Sequence, residues 1–152
     1  MSVADPYRTT GVLHGQCLCK NVSITVNGDY IAAVGGCHCG ICQKSNGVFW
    51  AAFQANAEAV TWTGDVATYA STPFAERTFC PTCGSNLWLR DTGDKNAVFE
   101  LMPALFPEAA TFPLISEIYT DRAPAYVTLS GDHLRATRSE YESKNPHIEG
   151  DI

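Results

Sequence analysis

The stretch Cys37-His38-Cys39-Gly40-Ile41-Cys42 places three thiols within six residues. Deprotonated sulfur is a soft, polarisable ligand, and a spacing this short lets the three sulfurs converge on one cation. The other four cysteines fall into two pairs, Cys17-Leu18-Cys19 and Cys80-Pro81-Thr82-Cys83. Seven cysteines thus divide as four plus three. Four protein ligands close a tetrahedral structural zinc, whereas three leave a position for water or substrate, as catalytic zinc requires. The division predicts a sealed zinc on Cys17, Cys19, Cys80 and Cys83. It predicts a second, open zinc on Cys37, Cys39 and Cys42, where the chemistry is carried out. A thiol or water at the open position has its pKa lowered and becomes a nucleophile near neutral pH.

Cys80-Pro81-Thr82-Cys83-Gly84 is the most specific local signal, because two residues between thiols aim both at one metal from a tight turn. Joining it to Cys17-Leu18-Cys19 closes a loop of about sixty residues, an entropic cost that metal–sulfur bonds offset. The competing reading of the three-cysteine site is a second structural zinc completed by His14, His38, His133 or an acidic residue. His38 lies between two ligands and is expected to point away from the metal, while His133 and His147 sit in weakly patterned sequence and are expected at the surface. Disulfides are disfavoured because seven cysteines cannot pair completely, although an oxidisable switch on Cys37, Cys39 and Cys42 remains an alternative use of the same thiols.

For a substrate with carboxylates, Lys44, Arg77 and Arg90 are the candidate cations, and Trp50 or Phe53 is the candidate apolar wall. Each has a plainer reading: a solvated helix end for Lys44, strand-edge charges for the arginines, and core packing for the aromatics.

The elements that must position these groups are mainly strands. Val22–Val26 alternates with period two, and 12–14, 48–53, 59–63, 66–70, 75–79, 87–90, 98–101 and 114–119 also read as strands. Turns are expected at Asn27-Gly28-Asp29 and at Gly64-Asp65, the latter inside a β meander. A helical turn through Gln43-Lys44-Ser45 is stopped by Asn46-Gly47. The expected fold is a mainly β, zinc-stabilised single domain, sandwich-like, built of small antiparallel sheets with short helical turns. It spans residues 11–138, between a flexible arm at 1–10 and a polar tail at 139–152.

With 152 residues, 45% hydrophobic and 17% charged, the chain can bury its own core. Its net charge is −6 and its ten basic residues are scattered, which argues against a nucleic-acid partner. No apolar run has transmembrane length and the N-terminus lacks a signal-peptide core, so a cytoplasmic protein without membrane association is expected. Nothing in the pattern fixes an oligomeric state.

The order Cys17-x-Cys19, Cys37-His38-Cys39-x-x-Cys42, Trp62-x-Gly64, Tyr69-x-Ser71 and Arg77-x-Phe79-Cys80-x-x-Cys83-Gly84-Ser85-x-Leu87 resembles the glutathione-dependent formaldehyde-activating enzyme family, which includes centromere protein V. The resemblance covers roughly residues 11–90. It implies a mainly β fold, a structural zinc on Cys17, Cys19, Cys80 and Cys83, and a second zinc on Cys37, Cys39 and Cys42. It also implies carbon–sulfur lyase chemistry, seen in the synthetic direction as glutathione adding to formaldehyde to give S-hydroxymethylglutathione. The chain departs from the family pattern at Glu100–Phe106, at Glu117-Ile118 and at Ala123-Pro124-Ala125-Tyr126, segments that bear on substrate. The expected function is therefore a zinc-dependent enzyme acting on a thiol–aldehyde adduct, glutathione with formaldehyde or a related pair. The alternative is a non-catalytic zinc-stabilised binding module.

Overall fold

Inward-facing apolar residues at alternate positions build the first hairpin of the computed structural model, which describes residues 2–146 and residue 148. β1 (Arg8–Gln16) buries Leu13, and its partner β2 (Ser23–Ile31) buries Ile24, Val26 and Ile31. The two pair antiparallel over their full length, from Arg8 opposite Ile31 to Gln16 opposite Ser23. Residues 8–10, expected in the arm, are thus the opening of β1, and Ala4 and Tyr7 pack beside Ile31, Ala33 and Ile115. Asn27-Gly28-Asp29 is not a turn. β1 supplies partners along the whole stretch, and Gly28, at φ 143°, keeps β2 running where a Cβ would sit 3.0 Å from that of Ala59.

β3 (Val34–Cys37) leads into α1 (Gly40–Asn46), which ends as expected at Gly47 in the left-handed region, φ 83°. β4 (Trp50–Ala55), β5 (Val60–Thr63), β6 (Ala67–Thr72), β7 (Ala75–Phe79), β8 (Asn86–Asp91) and β9 (Phe99–Leu101) follow. The expected meander does not run through Gly64-Asp65: β5 pairs with β2, and β6 turns instead to β7. The meander is β6 through β9, each strand beside the next. After β9, two 3-10 turns (Pro103–Leu105 and Pro107–Thr111) carry the chain past the buried ring of Phe106. They deliver β10 (Leu114–Ile118) alongside β3 in the parallel sense, and β11 (Leu134–Ala136) lies parallel on its outer side. The fold is mainly β, as expected. The ladders join into one branched sheet, in the order β11-β10-β3-β4-β9-β8-β7-β6, with β2 bridging from β4 to β1 and β5. α2 (Arg138–Lys144), inside the segment expected as a polar tail, is capped by Thr137 and Glu140 acting reciprocally.

The β1–β2–β5 branch packs Leu13, Ile24, Val26 and Val60 against Phe53, Trp88, Phe99 and Leu101 of the main sheet. Each such side chain contributes on the order of 1.5–3 kcal/mol by leaving water. A smaller cluster gathers Cys39, Cys42, Trp50, Ala52 and Tyr119. Among the described residues no helix is long and apolar enough to cross a membrane.

Candidate metal centres

Two loops facing each other make the first centre. The turn after β1 is held by Cys17 N–H to Val22 O at 3.1 Å and Lys20 N–H to Cys17 O at 3.1 Å. The turn between β7 and β8 is held by Cys80 N–H to Ser85 O at 2.9 Å and by Gly84 N–H to Cys80 O at 2.8 Å, with Gly84 at φ 77°. The Leu18 amide donates to Ser85 Oγ at 3.0 Å and ties one loop to the other. Gly64 supports the arrangement from behind: its φ is 95°, and a Cβ there would stand 2.0 Å from Asn21 O, so only glycine admits the first loop.

The ligand atoms of Cys17, Cys19, Cys80 and Cys83 all lie within 4.8 Å of one another. Cys17 Sγ to Cys19 Sγ is 3.6 Å and Cys19 Sγ to Cys80 Sγ is 3.7 Å. Four sulfurs placed about 2.3 Å from a tetrahedral zinc stand about 3.8 Å apart, so the spacing fits a metal of that size. The Val22 amide also donates to Cys17 Sγ, at 3.3 Å, and stabilises negative charge on that sulfur.

The second centre forms where β3 runs into α1. Cys37 ends β3 between Trp50 of β4 and Ile118 of β10. Cys39 is the N-cap of α1, its sulfur accepting from the Cys42 amide at 3.4 Å, and the Cys39 amide donates to Cys37 Sγ at 3.5 Å. The three sulfurs lie within 4.8 Å of one another, and no fourth Cys, His, Asp or Glu among the described residues joins them. Arg77 of β7 reaches across: Nη2 donates to Cys42 Sγ at 3.5 Å, Nη1 to Ser45 Oγ at 3.1 Å and Nε to Ser71 Oγ at 3.3 Å. Its guanidinium lies 4.9 Å from the Trp50 ring centroid.

These sulfurs compete for negative charge. Hydrogen bonds from the Cys37 and Cys42 thiols draw the pKa of Cys39 down to about 3, against the cost of burial. Cys37, which gives its proton to that bond with Cys39, is pushed up. At Cys42 the bond with Cys37 acts downward, but the Cys39 thiolate and burial outweigh it and raise the pKa to about 12. Three sulfurs that ionise only at one another's expense are a donor set suited to a cation. Both clusters could hold a metal ion.

The histidines are placed otherwise than as ligands. His38 is fully buried with Nε2 2.6 Å from Glu117 Oε2, and His133 Nε2 is 2.6 Å from Glu117 Oε1. One carboxylate therefore takes an N–H from each ring, and Arg135 Nε adds a contact at 3.5 Å. Burial alone would raise the pKa of Glu117, but the hydrogen bonds from His133 and His38 prevail and lower it. His133 is buried rather than exposed: it immediately precedes β11, whose pairing with β10 brings it to Glu117. His14 is exposed on β1, and His147 lies outside the described residues.

A cleft of about 480 Å³ opens on the three sulfurs, with Trp50, Arg77, Glu100, Tyr119 and Tyr141 on its walls. Trp50 and Arg77 were expected near substrate and line it. Lys44 is exposed on α1 and is not among the lining residues. Arg90 stacks on Phe99 at 4.2 Å and donates to Ala97 O, and Phe53 belongs to the main core. The sequence assigns no site role to Tyr119 or Tyr141, and marks Glu100 and Glu117 only as departures from the family pattern. Glu117 had a signal: in Leu114–Ile118 it shares the inward parity of Ile115, so a strand there buries a carboxylate that needs partners. Tyr119 had none. It sits at φ 56°, a costly conformation for an aromatic residue, with its hydroxyl donating to Glu142 of α2 at 2.9 Å.

A family model described as glutathione-dependent formaldehyde-activating enzyme matches residues 12–122. An "uncharacterized lyase" of Schizosaccharomyces pombe is 34% identical over 86 residues, covering 56% of this chain and 62% of the yeast protein. The match thus spans less than two thirds of that relative. A crystal structure of a Rhodobacter sphaeroides protein aligns with a TM-score of 0.50 at 21% identity, covering 66% of this chain and 98% of the other, a likeness of fold.

Proposed function

The chain belongs to the glutathione-dependent formaldehyde-activating enzyme family, and from that premise we propose that it is a zinc-dependent carbon–sulfur lyase-like enzyme acting on a thiol–aldehyde adduct. The observation that carries this reading is the three-sulfur cluster of Cys37, Cys39 and Cys42, without a fourth protein donor among the described residues and facing a cleft. Cys37, Cys39 and Cys42 would hold a zinc ion there, and its charge would lower the pKa of an incoming thiol. The quartet of Cys17, Cys19, Cys80 and Cys83 would hold a structural zinc in the same reading.

The balance of the reaction is simple. In synthesis the thiol sulfur bonds to the aldehyde carbon, the C=O π bond opens, and the thiol proton ends on the oxygen; in lysis the C–S bond breaks and the proton returns. Arg77 donates to Cys42 Sγ and so holds negative charge on the cluster while a further sulfur approaches. Trp50, buried and stacked on Arg77, keeps that guanidinium in place and excludes water from one wall.

The test is turnover of formaldehyde with a panel of thiols by the zinc-loaded chain and by Cys39→Ser. The wild-type rate is expected to exceed the uncatalysed one by at least 10²-fold, the scale on which positioned catalytic groups act, and Cys39→Ser is expected to return it to background. Equal rates for the two proteins would leave a zinc-stabilised binding module as the function.

A further inference from the structure

We propose that the thiol accepted by this cleft is a small aminothiol carrying a positive charge, in preference to thiols that carry carboxylates. The inference rests on the thiol–aldehyde reading above and narrows it.

The charges on the cleft wall are the first ground. Among the described lining residues Arg77 is the one Lys or Arg, against Asp91, Asp94 and Glu100. Arg77 is already engaged: its three donor groups go to Ser71, Ser45 and Cys42, and its face lies on Trp50. Its charge is thereby set against the sulfur cluster and is not presented to a substrate carboxylate. The other cations that could have served lie elsewhere, Lys44 exposed on α1 and Arg90 on the ring of Phe99.

Glu100 is the second ground. It sits on β9 with Gln54 of β4 opposite, and its side chain accepts one long hydrogen bond among the described residues, from Gln54 Nε2 at 3.5 Å. Loss of water pushes its carboxyl pKa up, and neighbouring Asp91 pushes the same way; together they outweigh the hydrogen bond from Gln54 and the charge of Arg77, which act downward. A carboxylate so poorly compensated gains from a cation placed beside it. Glu100 is also shared with an adjoining cavity of about 270 Å³, and Cys37, Trp50, Gln54, Ile118 and Tyr141 line both spaces. A thiol whose sulfur sits over Cys37, Cys39 and Cys42 therefore extends its tail along a wall that bears Glu100. An ammonium on that tail meets attraction, whereas glutathione, whose two carboxylates outnumber its one ammonium, brings net negative charge to a wall that bears Asp91, Asp94 and Glu100.

The experiment is calorimetric titration of the zinc-loaded full chain, with Cys39→Ser as the blank. The ligands are 2-aminoethanethiol, its N-acetyl derivative as the neutral analogue, 3-mercaptopropionate as the anionic one, and glutathione. The expected result is at least tenfold tighter binding of the aminothiol than of the anionic thiol, about 1.4 kcal/mol, with the neutral analogue between them. Glu100→Gln is expected to shrink that ratio to under threefold. Glutathione or 3-mercaptopropionate binding as tightly as the aminothiol overturns the proposal and leaves the thiol–aldehyde reading standing. Absence of any thiol heat above the Cys39→Ser blank overturns both. Should Glu100→Gln fail to fold, the wild-type series decides alone.

Discussion

The quartet and the trio are built from the same residue type and both use local amides, but among the described residues only the trio borrows a side-chain cation from a distant strand. Cys17, Cys19, Cys80 and Cys83 sit on two tight loops whose own amides hold them, and each loop closes within a few residues. Cys37 and Cys39 also accept from their own loop's amides, but the trio is held from outside as well: by Arg77 of β7, by Ile118 O, which accepts from the His38 amide at 3.1 Å, and by Glu117 on the His38 ring. A self-supporting loop can be sealed and used as a fastener. A site that borrows its walls from distant strands stays open on the side where nothing covers it. The two are also coupled in one direction. The β7–β8 hairpin whose loop carries Cys80 and Cys83 has Arg77 before that loop and Asn86 after it, and Asn86 donates to Ser45 O of α1 at 3.1 Å.

The largest effect follows from breaking the fastener. Cys80→Ser is expected to remove metal bound by the quartet and to destabilise the chain by roughly 5 kcal/mol or more, a part of the roughly 10–16 kcal/mol that structural zinc binding supplies. That corresponds to a fall in Tm of at least about 10 °C for a chain this long. Because the hairpin positions Arg77 and Asn86, occupancy of the trio should fall as well, and elemental analysis should find both metals depleted. A Cys80→Ser protein that keeps a fully occupied second site would show the two regions to be independent.

Glu117→Ala sharpens the comparison from the other side. It strips the acceptor from two buried imidazoles, and removing one partner of a buried charged network costs about 3–5 kcal/mol. The damage is local to β3 and β10, so the quartet keeps its metal while the trio loses its own. Metal content should settle near one ion per chain, against two for wild type. Equal loss from both sites would contradict the division of labour.

This division also explains what the sequence reveals. The quartet is legible because its determinants are local: Cys-x-Cys, Cys-x-x-Cys-Gly, and the period-two strands that flank them. The sulfurs of the trio are legible for the same reason, as is the end of α1 at Gly47. Their surroundings are not. Glu117 and Cys37 come together through the parallel pairing of β10 with β3, across some eighty residues and two 3-10 turns, and no local pattern encodes that register. Nor does Tyr141, polar-looking in a charged tail, announce that α2 folds over the cleft. The turn expected at Asn27-Gly28-Asp29 fails for a related reason: a long partner strand overrides the local preference of Asn-Gly.

The smallest effect is expected at Lys44, and its smallness is informative. By sequence Lys44 and Arg77 are equivalent, each a cation within reach of the cysteines and suited to a substrate carboxylate. In the fold Lys44 projects from the outer face of a seven-residue helix, while Arg77 comes from the strand that leads into Cys80 and ends on Cys42. Lys44→Ala should therefore change stability by no more than about 0.5 kcal/mol, as for exposed positions generally, and should leave thiol affinity within twofold of wild type. Arg77→Gln in the same assay should weaken it clearly, since Cys42 loses its cation. If the two substitutions weakened thiol binding equally, position along the chain rather than the borrowed wall would set the charge at the open site, and the contrast between borrowed and self-supporting surroundings would lose its functional meaning.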